Sequence, residues 1–171
     1  MISPMSTDPK RPLTLDEYLE IEASSDVRHE FLNGEMFAMP GASLDHAAIV
    51  LNIGSELRTQ LKGRPCRVAT NDLRVRVTAT GLYTYPDVVV FCGEPRLDGK
   101  APSTLLDPTV LFEVLSESTE SYDRGEKAEH YRRIASLREY VLVAQDRVHV
   151  EHYRRQESGL WLLGDVEDPE A

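Results

Sequence analysis

The sequence predicts an α+β fold of α/β/α type, in which a mixed β-sheet core is flanked by helices. Three observations carry that prediction. Residues 87–91 and 110–115 are near-continuous apolar runs, as strands buried on both faces are. Helix-capping patterns open at Thr14, Ser43 and Asp123. The chain order is helix, hairpin, helix, many strands, helix, strands, which suits helices packed on a mixed sheet.

Residues 1–12 read as a flexible leader, with prolines at 4, 9 and 12. Thr14, with Glu17 three residues on, is a capping box for a helix to about Ala23. Arg28–Phe31 and Met36–Met39 flank Asn33-Gly34, a dipeptide that suits a tight hairpin because both turn positions need positive φ. Ser43 caps a second helix, Leu44–Leu61. Its predicted buried stripe is Ala47, Val50, Leu51, Gly54, Leu57 and Leu61. Strands follow at Cys66–Thr70, Leu73–Val77, Asp87–Phe91 and Val110–Leu115, with residues 93–108 as a loop rich in proline and glycine. Asp123 and Glu126 mark a third helix to about Ala135, and Glu139–Ala144 and Val148–Tyr153 are strands, with a short one near Leu160–Leu163. The acidic end, 165–171, reads as a frayed tail beyond a single domain at 13–164.

Composition narrows the class. The chain has 171 residues and a net charge of −10. A chain this long buries roughly 68–70% of its unfolded surface, enough for one core. It has no run of about 18 apolar residues to span a membrane, and Met1–Pro12 lacks the apolar stretch of a secretory signal. Its only cysteines, Cys66 and Cys92, rule out a disulfide framework or a CxxC zinc module, and a reducing cytoplasm is expected. The acidic balance argues against coating nucleic acid by bulk charge, but not against an enzyme that meets it locally.

Two carboxylates stand out. Glu113 lies in Val-Leu-Phe-Glu-Val-Leu, and alternation puts it on one face with Leu111 and Leu115. An ionised Glu there costs several kcal/mol unless a metal or cation compensates it. Asp87 opens the other buried strand, and two hard oxygen donors on neighbouring strands suit Mg²⁺. A buried Glu paired with an arginine satisfies the same pattern. Lys127, in line with Tyr131 and Ile134 on a helix face, either points at the same site or snorkels over apolar surface.

These residues carry a resemblance. Tyr85-Pro86-Asp87-Val88-Val89-Val90, then Glu113-Val114-Leu115-Ser116, then Asp123-Arg124-Gly125-Glu126-Lys127, Tyr131-Arg132-Arg133 and Glu139-Tyr140 resemble the Uma-two family. That bacterial group is restriction-endonuclease-like and lies within the PD-(D/E)XK nuclease superfamily. The similarity runs from about Leu13 to Tyr153 and includes Arg28-His29-Glu30 and Asn33-Gly34-Glu35. It implies a metal-dependent endonuclease that hydrolyses phosphodiester bonds in DNA, using Mg²⁺ or Mn²⁺ held by Asp87 and Glu113. The superfamily lysine normally follows the second acid by two residues. Leu115 occupies that place here, so the resemblance implies a lysine moved to the next helix, Lys127. Glu30 resembles an extra acid that some members supply, and a homodimer is expected. The displaced lysine and the acidic charge favour an alternative, a non-catalytic homodimeric interaction module that keeps the fold.

Arg58, Lys62, Arg64, Arg67, Arg74 and Arg76 cluster in sequence. Arg74 and Arg76 are the candidate nucleic-acid contacts, although alternating arginines on an exposed strand are ordinary. Asp72 either lines the site or shapes a turn. For His46 the position favours a capping or core role over acid–base work. His149 and His152, three apart in a strand, point to opposite faces and do not chelate together. Gly99-Lys100 lacks the earlier glycine of a phosphate loop, and no Gly-x-Ser-x-Gly elbow occurs.

Overall fold

The computed structural model describes residues 11–167. The leader expected at 1–12 therefore lies mostly outside the described residues, as do positions 168–171 of the expected tail. Pro12 and Leu13 are not loose. Leu13 N–H donates to the Gly34 carbonyl (2.8 Å), and Leu13 packs under the first helix. Gly34 sits at φ +85°, and any side chain there would collide with Pro12, so glycine is required twice over.

The described elements are α1 (Leu15–Ser24), β1 (His29–Leu32), β2 (Glu35–Ala38), α2 (Leu44–Gln60), β3 (Cys66–Thr70), β4 (Arg74–Val77), β5 (Leu82–Thr84), β6 (Val88–Cys92), β7 (Thr104–Leu105), β8 (Val110–Leu115), α3 (Glu120–Arg124), α4 (Glu126–Arg132), β9 (Glu139–Ala144), β10 (His149–Arg155) and β11 (Trp161–Glu167). The fold is mixed α+β, as expected. The Thr14–Glu17 capping box and the Ser43 cap are both formed, and the Asn33-Gly34 turn joins β1 to β2.

The strands form two sheets among the described residues. A five-stranded sheet has the order β2-β1-β5-β4-β7, and a six-stranded sheet the order β11-β10-β9-β8-β6-β3. In the larger sheet β8 and β9 are parallel, so the chain must cross over between them, and α3 and α4 make that crossing. Alternation along β6 and β8 sorts the core. Val88 and Val114 face α2 with Val50, whereas Val89, Leu111 and Leu115 face α4 and the strands of the smaller sheet. Ala128, Tyr131 and Ile134 of the α4 region join both sheets into one core with Val75, Val77 and Leu142. Burying Val50 alone stabilises the α2 contact by roughly 1.5–3 kcal/mol.

Three expectations are corrected. The helix expected from Asp123 to Ala135 is two short helices broken at Gly125, and Asp123 is a buried residue of α3, not an N-cap. The stripe expected on α2 is rotated. Val50 is buried with Ile49, Ile53 and Leu57 half-buried beside it, while Leu51 is 70% exposed and Ala47 faces solvent. Residues 165–167 are not frayed, because they extend β11 against β10, pairing Glu167 with His149 and Asp165 with Glu151. Cys66 and Cys92 lie directly opposite across β3 and β6 and are joined by a disulfide. One bridge is not a framework. No described helix is long and apolar enough to cross a membrane.

Candidate active site

A cavity of about 430 Å³ opens where β1, β2, the start of α2, the lip of β6, β8 and the crossover helices converge. Asp87, Glu113, Lys127 and Glu30 all line it. The local causes differ. Asp87 follows Pro86 at the entry to β6, where its Oδ2 accepts a hydrogen bond from the Val114 N–H (2.7 Å). That bond ties the β6 lip to β8. Its Oδ1 lies 3.0 Å from His46 Nε2, and the Asn71 amide donates to it at 3.5 Å. Glu113 projects from the α4 face of β8, as alternation requires, and is 3% exposed. Lys127 sits on α4 one turn after Asp123 and is equally buried.

Lys127 is the centre of the charge arrangement. Its Nζ lies 2.9 Å from Glu113 Oε1, 3.3 Å from Asp123 Oδ1 and 3.4 Å from Glu30 Oε1. Burial by itself would drive its proton off. Glu113 above all, then Tyr131, Glu30 and Asp123, outweigh burial and hold the ammonium well above its ordinary pKa. Glu113 is pushed well upward too. Burial is the main cause, with Asp87 and Asp123 adding repulsion that Lys127 and the Tyr131 hydroxyl only partly offset. One ammonium shared among three carboxylates leaves negative charge in excess.

Tyrosines fix the acids. The Tyr131 hydroxyl donates to Glu113 Oε1 (2.7 Å), and the Tyr122 hydroxyl donates to Glu30 Oε2 (2.8 Å). Thr84 donates to the other oxygen of Glu30. Sequence marks Tyr131 only as a neighbour of Lys127 on one helix face and within the resemblance, and a lone tyrosine in the polar run Glu120-Ser121-Tyr122-Asp123-Arg124 carries no signal for an acid 92 residues away. His46 was set aside as a cap or core residue. It does lie in the first turn that Ser43 caps, but its ring reaches Asp87, which raises its pKa. No spacing rule links residues 41 apart in sequence, so only the fold could show that contact.

Other candidates lie elsewhere. Arg74 Nε donates to Thr104 Oγ1 (2.8 Å), and its guanidinium stands over the rings of Tyr18, Tyr83 and Tyr85. Arg76 pairs with Asp98 (2.9 Å). Neither lines the cavity. Asp72 is exposed and pairs with Arg28 (3.1 Å), while its neighbour Asn71 lines the cavity. His149 and His152 face separate partners, Asp165 and Glu139.

Among the described residues no three His, Cys, Asp or Glu side chains are grouped as a ready metal cage. Asp87 and Glu113 are hard oxygen donors available to a divalent cation, and the Asp87 repulsion that adds to burial in raising Glu113 is of the kind such a cation relieves.

Comparison with known proteins bears on the family and the fold. Residues 15–171 match the family described as Uma2, "Putative restriction endonuclease". The uncharacterized protein slr1290 of Synechocystis sp. is 36% identical over 161 residues, covering 94% of this chain and 83% of its own. A second protein from that organism, the uncharacterized protein sll1609, is 32% identical over 154 residues, covering 90% of this chain and 87% of its own. The crystal structure of a putative nuclease belonging to DUF820 from Anabaena variabilis superposes with a TM-score of 0.73 at 22% identity, covering 94% of this chain and 87% of that one. At that identity the likeness concerns the fold.

Proposed function

Because this chain belongs to the Uma2 family, whose description reads "Putative restriction endonuclease", we propose that it is a metal-dependent endonuclease hydrolysing phosphodiester bonds in DNA. The observation that carries the reading is the buried Lys127–Glu113 pair facing Asp87 across one cavity. A structural domain gains little from such a group, because a buried ion pair seldom stabilises more than an apolar replacement.

On this reading Asp87 and Glu113 hold Mg²⁺, with Mn²⁺ able to substitute. Bound there, the cation supplies Lewis acidity toward a phosphate oxygen and a water of lowered pKa. The protein's own groups supply the rest. The Val114 N–H and His46 fix both oxygens of Asp87, so its carboxylate need not reorganise when substrate arrives. Lys127 stays charged and places a donor where negative charge gathers on the phosphorus in the transition state. Tyr131 holds Glu113 from the side opposite solvent, and Tyr122 with Thr84 keeps Glu30 turned toward Lys127. Lys127 then does from a helix what the superfamily's strand lysine does, since a site depends on where the ammonium arrives.

The second reading, a non-catalytic homodimeric module, has its own support. Leu160, Leu162, Leu163 and Val166 are exposed on or beside the edge strand β11. An apolar open edge is a template for pairing with another chain. Both readings allow a two-fold dimer.

Cleavage of supercoiled plasmid and of single-stranded DNA with Mg²⁺ or Mn²⁺ separates them. Wild type should cut, whereas Glu113→Gln and Lys127→Ala should not. Mn²⁺ should raise the melting temperature of wild type and not of Glu113→Gln. Equal cleavage by wild type and Glu113→Gln would sink the enzyme reading and leave the module in front.

A further inference from the structure

Three properties of the cavity bear on the form of nucleic acid it admits. The first is charge. Glu30, Asp87, Glu113 and Asp123 line it, and among the described residues Lys127 is its only lysine or arginine. That lysine is already taken by three of those acids. Arg58 sits at the far end of α2 from His46, about 18 Å along the helix axis at 1.5 Å per residue, and Arg124, next to Asp123, is held by Glu120 and Glu151. Duplex affinity comes mainly from neutralising phosphates on both strands, and this cavity offers almost none of that.

The second property is an apolar wall. Phe37 lies directly across from Glu30 in the β1–β2 register, so the two side chains share a face. Phe37 lines the cavity, is 50% exposed, and stacks on no other ring among the described residues. Met39 and Pro40 continue the wall. The third property is neutral donors opposite. Ser116 is hydrogen-bonded to Ser118 (3.1 Å) and to Thr119 (2.9 Å), and all three hydroxyls line the cavity. Such groups meet a phosphate or a base edge without needing positive charge.

We propose that the site takes an unpaired stretch of DNA, with one base stacked on Phe37 and its phosphate turned toward Asp87 and Glu113. The inference rests on the endonuclease reading and names its substrate class. A cavity of about 430 Å³ suits a single nucleoside, as pockets of roughly 300–1,000 Å³ suit small ligands. A base paired inside a duplex cannot reach the Phe37 wall without being unpaired, unstacked and flipped out. Stacking on an aromatic side chain favours unpaired bases whatever their sequence.

The test uses matched oligonucleotides, single-stranded and duplex, with 2-aminopurine at successive positions. Binding is read by fluorescence in the Glu113→Gln protein, which removes chemistry, and cleavage is read in wild type. The single strand should bind and be cut at least about 10-fold better than the duplex, with quenching at one position. Phe37→Ala should lose about 10-fold in single-strand affinity together with the quenching, and Phe37→Trp should keep both. Leu51→Ala removes an exposed apolar side chain away from the cavity and should change neither. Equal use of duplex and single strand, or an unaltered Phe37→Ala protein, overturns the inference, as does a preference for single-stranded RNA over DNA. If nothing is cut while Phe37-dependent quenching persists, the endonuclease reading has failed and the unpaired-strand pocket stands.

Discussion

Two buried acid–base clusters, one on the smaller sheet and one in the cavity where both sheets contribute, behave in opposite ways. In the five-stranded sheet Asp98 meets Arg76 (2.9 Å), the Tyr83 hydroxyl (2.9 Å) and the Lys100 N–H (3.0 Å). Burial pulls the Asp98 carboxyl up, yet the Lys100 N–H, Tyr83 and Arg76 more than offset it, and its pKa ends below the ordinary value. Tyr83 in turn is pushed up to about 12 by burial and by that carboxylate. In the cavity Glu113 goes the other way, well above its ordinary value, with Lys127 only 2.9 Å off. The difference is stoichiometry. Asp98 has one carboxylate for several donors, whereas Lys127 has three carboxylates for one ammonium. Asp98 faces no described cavity and Glu113 does. A matched cluster serves the fold, and a mismatched one that opens on a cavity is left for a ligand to complete.

That contrast can be broken by mutation, and the largest effect belongs to Lys127. Lys127→Met leaves three carboxylates without their cation and should cost about 3–5 kcal/mol in urea denaturation. Adding Glu113→Gln to it should restore part of that loss. Next comes Glu113→Gln alone, which should keep the fold and lower cleavage by at least about 100-fold, near 2.7 kcal/mol of barrier. Arg76→Met should cost less, about 2 kcal/mol, because Tyr83 and Lys100 still satisfy Asp98, and cleavage per folded molecule should not change. If Arg76→Met and Lys127→Met cost the same, the distinction between matched and mismatched clusters collapses. Tyr122→Phe strips one donor from Glu30 and should cost about 1 kcal/mol on the same denaturation curve.

A pH series gives the finest test. Asp98 has its pKa lowered on folding, so its stabilising effect is complete above its ordinary value of 3.8 and is lost as pH falls through the folded-state value. The stability gap between wild type and Asp98→Asn should therefore hold from neutral pH to about pH 4 and close below it. A gap that instead widened on acidification would show that the donors around Asp98 do not favour its ionised form.

What could be read in advance follows physical range. Glu113 announced itself because a charge inside an apolar strand is costly wherever the strand goes. The Thr14 and Asn33-Gly34 signals are local and were formed as expected. Lys127 stands on a helix face with Tyr131 and Ile134, which fits a site lysine and a snorkelling one alike, and the resemblance favours the site. The rest depended on partners far along the chain. Which face of α2 is buried depends on where β6 and β8 lie, so Leu51 looked like core and is not. Asp165 and Glu167 looked like a tail because an edge strand tolerates acids facing water. Gly125 divides a helix whose continuous pattern masked the break. Tyr131 and Tyr122 bind acids 18 and 92 residues away, so nothing local shows what their hydroxyls meet.

The placement of Glu30 has one more consequence. It belongs to the smaller sheet, Glu113 to the larger one, and Lys127 to the crossover packed between them. The bond from Tyr122 to Glu30 spans 92 residues of chain. No fragment that forms one sheet alone can assemble the three acids around the lysine. On the endonuclease reading, a nascent or half-folded chain is harmless to any DNA it meets, and the ability to cut arrives only when the two halves close on each other.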